Sequence, residues 1–129
     1  MSLRTSADEA ALLLLELARQ RSEDVGRETT RFMVRAVTIR KLSNRSLLRY
    51  TFLEELADSV FERGWMMFSL GDRFGLVRTS GVQSWPYIAS KRIGPLLKRI
   101  GGSAAARQQA FQELDKKFPV IQTDEESDD

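Results

Sequence analysis

Apolar positions along the chain recur at two spacings, and each predicts its own element. Leu53, Leu56, Ala57, Val60 and Phe61 follow i, i+3, i+4, i+7 and i+8, the repeat of one buried helix face. Leu48 and Phe52 extend that face, and Glu54, Glu55, Asp58 and Glu62 take the other side. Ser43-Asn44-Arg45-Ser46 is a turn and helix-start signal, because these side chains cap exposed backbone donors. Gly64 suits a helix stop. A helix is therefore predicted over Ser46–Arg63. Beyond it, the strand-like runs Trp65–Leu70 and Arg73–Thr79 flank Gly71-Asp72. Glycine followed by aspartate between two such runs predicts a tight hairpin with glycine first in the turn. Gly75, inside the second arm, marks a bulge or a close approach.

Towards the N-terminus, Ser6-Ala7-Asp8-Glu9 is a capping box, and the leucine-rich run behind it predicts a helix over Ala7–Arg21. That helix is apolar around most of its circumference, so it is expected in the core or in a dimer seam. Ser22–Glu28 reads as a polar break. Thr30–Ser43 has two readings, a strand followed by a short helix or one longer helix, and periodicity does not choose between them. Towards the C-terminus, Trp85 is expected to close the core beneath a loop. Lys91-Arg92-Ile93-Gly94 repeats as Lys98-Arg99-Ile100-Gly101, and Pro95 is placed to begin a short helix between the two basic pairs. Ser103 caps a last helix, Ala104–Lys117, with Ala110, Phe111, Leu114 and Phe118 as its apolar stripe and Pro119 as its stop. Val120 and Ile121 are expected to tuck against the body.

Composition narrows the chemistry. At 129 residues, with 42% hydrophobic and 29% charged residues, the chain fits one globular domain, placed at residues 1–121. Its parts are a region at about 7–79, a basic segment at 84–102 and the C-terminal helix at 103–118. Residues 122–129 are expected to form a disordered acidic tail. No apolar run approaches the ~20 residues of a membrane span. Acids at Asp8 and Glu9 make the N-terminus a poor signal peptide, so a cytoplasmic location without membrane contact is expected. The chain has no cysteine and no histidine. Disulfides, thiolate nucleophiles and the usual zinc ligands and neutral-pH base are thereby removed. No catalytic or metal residue and no cofactor is assigned.

Charge changes the picture most. The net charge of +2 conceals five acids in the last seven residues. The preceding residues carry twenty basic groups against thirteen acidic, a net of +7. From Arg27 to Arg49 seven cations face one acid, and from Arg73 to Arg107 seven cations face none. Such clusters suit a polyanion, since phosphate contacts release counterions. The nucleic-acid-binding candidates are Arg40, Lys41, Arg45, Arg49, Tyr50, Arg73, Arg78, Lys91, Arg92, Lys98 and Arg99. The competing reading pairs Arg45 and Arg49 with nearby acids such as Glu54.

A helix with a basic start followed by a hairpin resembles the second half of a winged helix-turn-helix DNA-binding domain. The resemblance spans roughly Val37–Val77, with Ala7–Arg21 as the first helix. It implies an α+β, mostly helical fold with one small β-hairpin and a C-terminal helix. It also implies a short strand near Arg31–Val34 before a short helix near Val37–Leu42. The expected function is a non-enzymatic DNA-binding protein, a transcriptional or mobile-element regulator, preferring duplex DNA to RNA and forming a homodimer through its terminal helices. Two alternatives stay open. One is a protein-interaction adaptor on the same scaffold. The other is a small histidine-free ribonuclease using Tyr50 or Tyr87.

Overall fold

The computed structural model describes residues 3–121, so the expectation for the acidic tail at 122–129 lies outside the described residues. The chain is α+β and mostly helical, in the order α1 (Ala7–Val25), β1 (Arg31–Arg35), α2 (Ala36–Ser43), α3 (Tyr50–Glu62), β2 (Trp65–Leu70), β3 (Arg73–Arg78), α4 (Thr79–Val82), α5 (Gly94–Ile100) and α6 (Ala104–Lys117). The expected domain at residues 1–121 divides by its internal packing into two compact units, with the break after Trp85. Among the described residues no helix is long and apolar enough to cross a membrane.

In the first unit α1 begins with the capping box, Ser6 accepting from the Glu9 N–H and Glu9 accepting from the Ser6 N–H. Ala10, Ala11, Leu14 and Ala18 form its buried face. The polar run after Arg21 is the last turn of this helix, not a break. Arg19 bridges Glu16 and Glu23 along it. Gly26, at φ 78, then closes the helix where a side chain would be strained. The segment from residue 30 to 43 resolves as a strand followed by a short helix.

The three strands form one antiparallel sheet in the order β1-β3-β2, with Phe32 opposite Leu76 and Met67 opposite Leu76 from the other side. Its inner face joins α1, α2 and α3 around Leu14, Ile39, Leu56, Val60 and Leu76. The hairpin turn has glycine first, as expected: Gly71 takes φ 72 while Asp72 stays negative. At Gly75 the close approach is real, for the Phe68 ring occupies the space a Cβ would need. The Ala36 N–H donates to the Asp72 carbonyl at 2.8 Å, so the hairpin tip is tied to the start of α2.

Four further expectations need correction. First, α3 begins at Tyr50, not Ser46. Asn44, at φ 55, ends α2, its N–H turned back to the Arg40 and Lys41 carbonyls, so the Ser43-Asn44 signal is a stop and not a start. Second, Phe61 is 62% exposed, because the buried face of α3 narrows to Phe52, Leu56 and Val60. Third, the tryptophan in the core is Trp65, 5% exposed and edge-on to Phe32 at 5.5 Å, whereas Trp85 is 61% exposed. Fourth, Val120 and Ile121 lie open to solvent.

The second unit is a helical pair. Lys91 and Arg92 sit on a 3-10 turn, Ser90–Ile93, and Pro95 opens α5 as its residue type allows. Ser103 caps α6 by accepting from the Ala106 N–H at 3.1 Å. Of the expected α6 stripe, Ala110 is fully buried and Leu114 partly so, while Phe111 and Phe118 are exposed.

Candidate nucleic-acid interface

The corner between α2 and α3 is where the basic residues converge. Asn44 at its left-handed φ turns the chain, and Ser43 anchors the turn by donating its buried hydroxyl to the Ile39 carbonyl at 2.7 Å. Residues 3–5 are strapped across this corner. The Thr5 N–H donates to the Ser43 carbonyl at 3.0 Å, and the Asn44 amide donates to the Leu3 carbonyl at 3.0 Å. The strap carries Arg4 into the corner.

Two adjoining depressions share Arg4, Arg45 and Ser46. The more enclosed, about 310 Å³, adds Arg49 and Thr51, with Glu55 as the single acid of its lining. The more open adds Arg40 and Lys41 from the last turn of α2. Among the described residues Arg40, Lys41 and Arg49 make no ion pair. Arg49 is the N-cap of α3, and its side chain makes no capping bond. The first backbone N–H groups of α3 therefore lack a side-chain cap, and the start of a helix in that state favours anions.

Of the eleven residues expected from the sequence, four thus come together: Arg40, Lys41, Arg45 and Arg49. Their roles divide. The Arg45 guanidinium donates to the Thr5 carbonyl at 3.0 Å and stacks 3.9 Å above the Phe52 ring, with its Nε buried and unpartnered. It builds the corner and leaves only an edge for a ligand. It does not pair with Glu54. That carboxylate accepts from Tyr50 instead, which pushes the Tyr50 phenol above its ordinary range.

The other candidates lie elsewhere. Arg73 is at the hairpin tip, 3.7 Å from Asp72 and opposite Arg35 in the strand register. It stands by the first residue of α2, while the corner lies beyond the last. Arg78 is not free: it pairs with Glu28 at 2.9 Å and sits over the Trp65 ring. Arg99 is held by Glu113 through two bonds of 2.9 and 3.0 Å. Lys91, Arg92 and Lys98 are exposed on the second unit. The residue that sequence reasoning missed is Arg4, because only the strap places it. Among the described residues no group of acids could hold a metal ion. Comparison of the chain with protein-family models, with curated proteins and with solved structures returned no match.

Proposed function

We propose that this chain is a non-enzymatic winged helix-turn-helix protein that binds duplex DNA through the α2–α3 corner. The element order, with β1 beside β3 and a tight β2–β3 hairpin, supports the winged-helix reading. The observation that carries the DNA reading is that Arg4 and Arg49 line the depression at the uncapped start of α3 while Arg40 and Lys41 line the one adjoining it. Guanidinium forks and helix N–H groups are the donors that phosphate oxygens accept best.

The body of α3 is acidic: Glu54, Glu55, Asp58 and Glu62 are exposed and no cation lies between Tyr50 and Glu62. A helix of that charge is repelled along a groove, so α3 meets the duplex end-on. Tyr50 and Thr51 are then the helix residues within reach of bases, and most of the affinity is phosphate contact. A homodimer through the terminal helices would use leucines left exposed on α1, Leu13 and Leu17, one turn apart. A cytoplasmic place of work is part of the same proposal.

The test is duplex binding over a salt series. The logarithm of the binding constant should fall steeply with the logarithm of salt, and each of Arg40→Ala and Arg49→Ala should reduce the slope by about one. Failure to bind at low salt, or a slope indifferent to both changes, defeats the proposal. The second reading, a protein-interaction adaptor, draws its support from the same acidic α3, which also exposes Phe61.

A further inference from the structure

Alternation along the strands sorts the sheet into two faces. The inner one is core. The outer one is largely apolar and, among the described residues, uncovered. Met33, Met66, Phe68 and Leu70 point outward and stay roughly half exposed, with the Phe68 ring lying over Gly75. Three arginines complete this face. Arg31 shares a rung with Val77 and Met66, while Arg35 and Arg73 share one with Leu70. No acid occupies an outward position on the three strands. An antiparallel sheet that meets water on one side ordinarily places polar residues there, so this face is built for a cover.

The complementary surface is on the same chain. The outward stripe of α3 runs Tyr50, Glu54, Asp58, Phe61, at helical spacing, with aromatic rings exposed at both ends and carboxylates between. Glu55 and Glu62 flank it. Its length, about 16 Å, matches the ~17–20 Å of the strands. Like faces cannot pair with each other, since arginine would oppose arginine and carboxylate would oppose carboxylate. Nor can one molecule join its own two faces, because each points away from the same core.

We infer that the outer sheet face docks the α3 stripe of a second copy, head to tail. The neighbour's α3 supplies the missing helical layer, its aromatic rings resting on the methionines and its carboxylates meeting Arg31, Arg35 and Arg73. The contact is heterologous: joining two copies leaves one sheet face and one α3 stripe free, so the assembly grows beyond two. It uses neither Arg40, Lys41 nor Arg49, shares only Tyr50 with the proposed DNA contact, and does not rest on the DNA reading.

Sedimentation velocity of the full chain tests it. The weight-average mass should rise with concentration past two copies at low salt and fall as salt screens the ionic contacts. Two variants reverse one face each: R31E with R35E on the sheet, and E54K with D58K on α3. Either alone should weaken association about tenfold or more. An equal mixture of the two should assemble again, because each supplies the face that complements the other, and that recovery also shows that both variants are folded. A mass that levels off at one or two copies whatever the salt, or a mixture that stays dissociated, overturns the inference. Assembly untouched by both variants overturns it equally.

Discussion

Arginine has two different uses in this protein, and the side chain's partners decide which. Arg45 spends its charge inside, on the Thr5 carbonyl and the Phe52 ring. Arg49 stands beside it, exposed and without an ion pair among the described residues. Arg45→Met should therefore lower stability in urea unfolding by about 1–3 kcal/mol, through the lost hydrogen bond and stacking. Arg49→Ala should leave stability within about 0.5 kcal/mol and act on DNA binding alone. The reverse pattern would exchange their roles. Gly75 offers a second test at this scale. Gly75→Ala drives a methyl into the Phe68 ring and should destabilise the protein. In a Phe68→Ala background the clash is gone, and the same change should cost nothing or add up to about 1 kcal/mol, the ordinary penalty of a strand glycine recovered.

At the scale of elements, the proposed DNA contact sets binding against stability at the start of α3. An arginine at the N-cap leaves the helix uncapped. Arg49→Ser should stabilise the fold by about 0.5–2 kcal/mol and weaken the DNA contact, measured by thermal unfolding and by binding in parallel. The pairing of α5 with α6 is sensitive to acid. The hydrogen bonds from Arg99 hold the Glu113 carboxyl below its ordinary value of 4.5. A carboxylate shifted down contributes stability that is complete above that ordinary value and is lost as pH falls through the lowered one. Helicity lost on acidification below about pH 4.5 should thus be smaller in Arg99→Ala, which starts without the ion pair. The elements themselves were largely legible. The α3 face, the hairpin and the capped ends of α1 and α6 follow from local spacing and turn chemistry. The start of α3 was not, because serine and asparagine both end and begin helices, and only the left-handed φ at Asn44 shows which they do here. The site was half legible. Arg40, Lys41, Arg45 and Arg49 are close in sequence and stay close in space. Arg4 was hidden, and the partners of Arg45, Arg78 and Arg99 were not legible, because they are Thr5, Glu28 and Glu113, all distant along the chain.

For the whole molecule, the two units differ in what holds them. The first surrounds a core of side chains from three helices and a sheet. In the second, Ala110 is the one fully buried apolar residue among those described. A helical pair that small and that open gains little from burial. A chain ending at Trp85 should therefore keep one cooperative thermal transition, while residues 86–121 alone should show weak, non-cooperative helicity by circular dichroism. Loss of the transition in the shortened chain would mean that the first unit leans on the second for its stability.

The strap at residues 3–5 has a practical consequence. Its backbone hydrogen bonds fasten residues 3–5 to the α2–α3 corner. Anything joined ahead of residue 3, such as an affinity tag or a fused partner, emerges beside Arg4 at the rim of the basic depression. An acidic tag placed there would compete for the corner, and a bulky one would shield it. Proteins tagged at opposite ends would then differ in apparent affinity for a polyanion with no change in sequence at the corner.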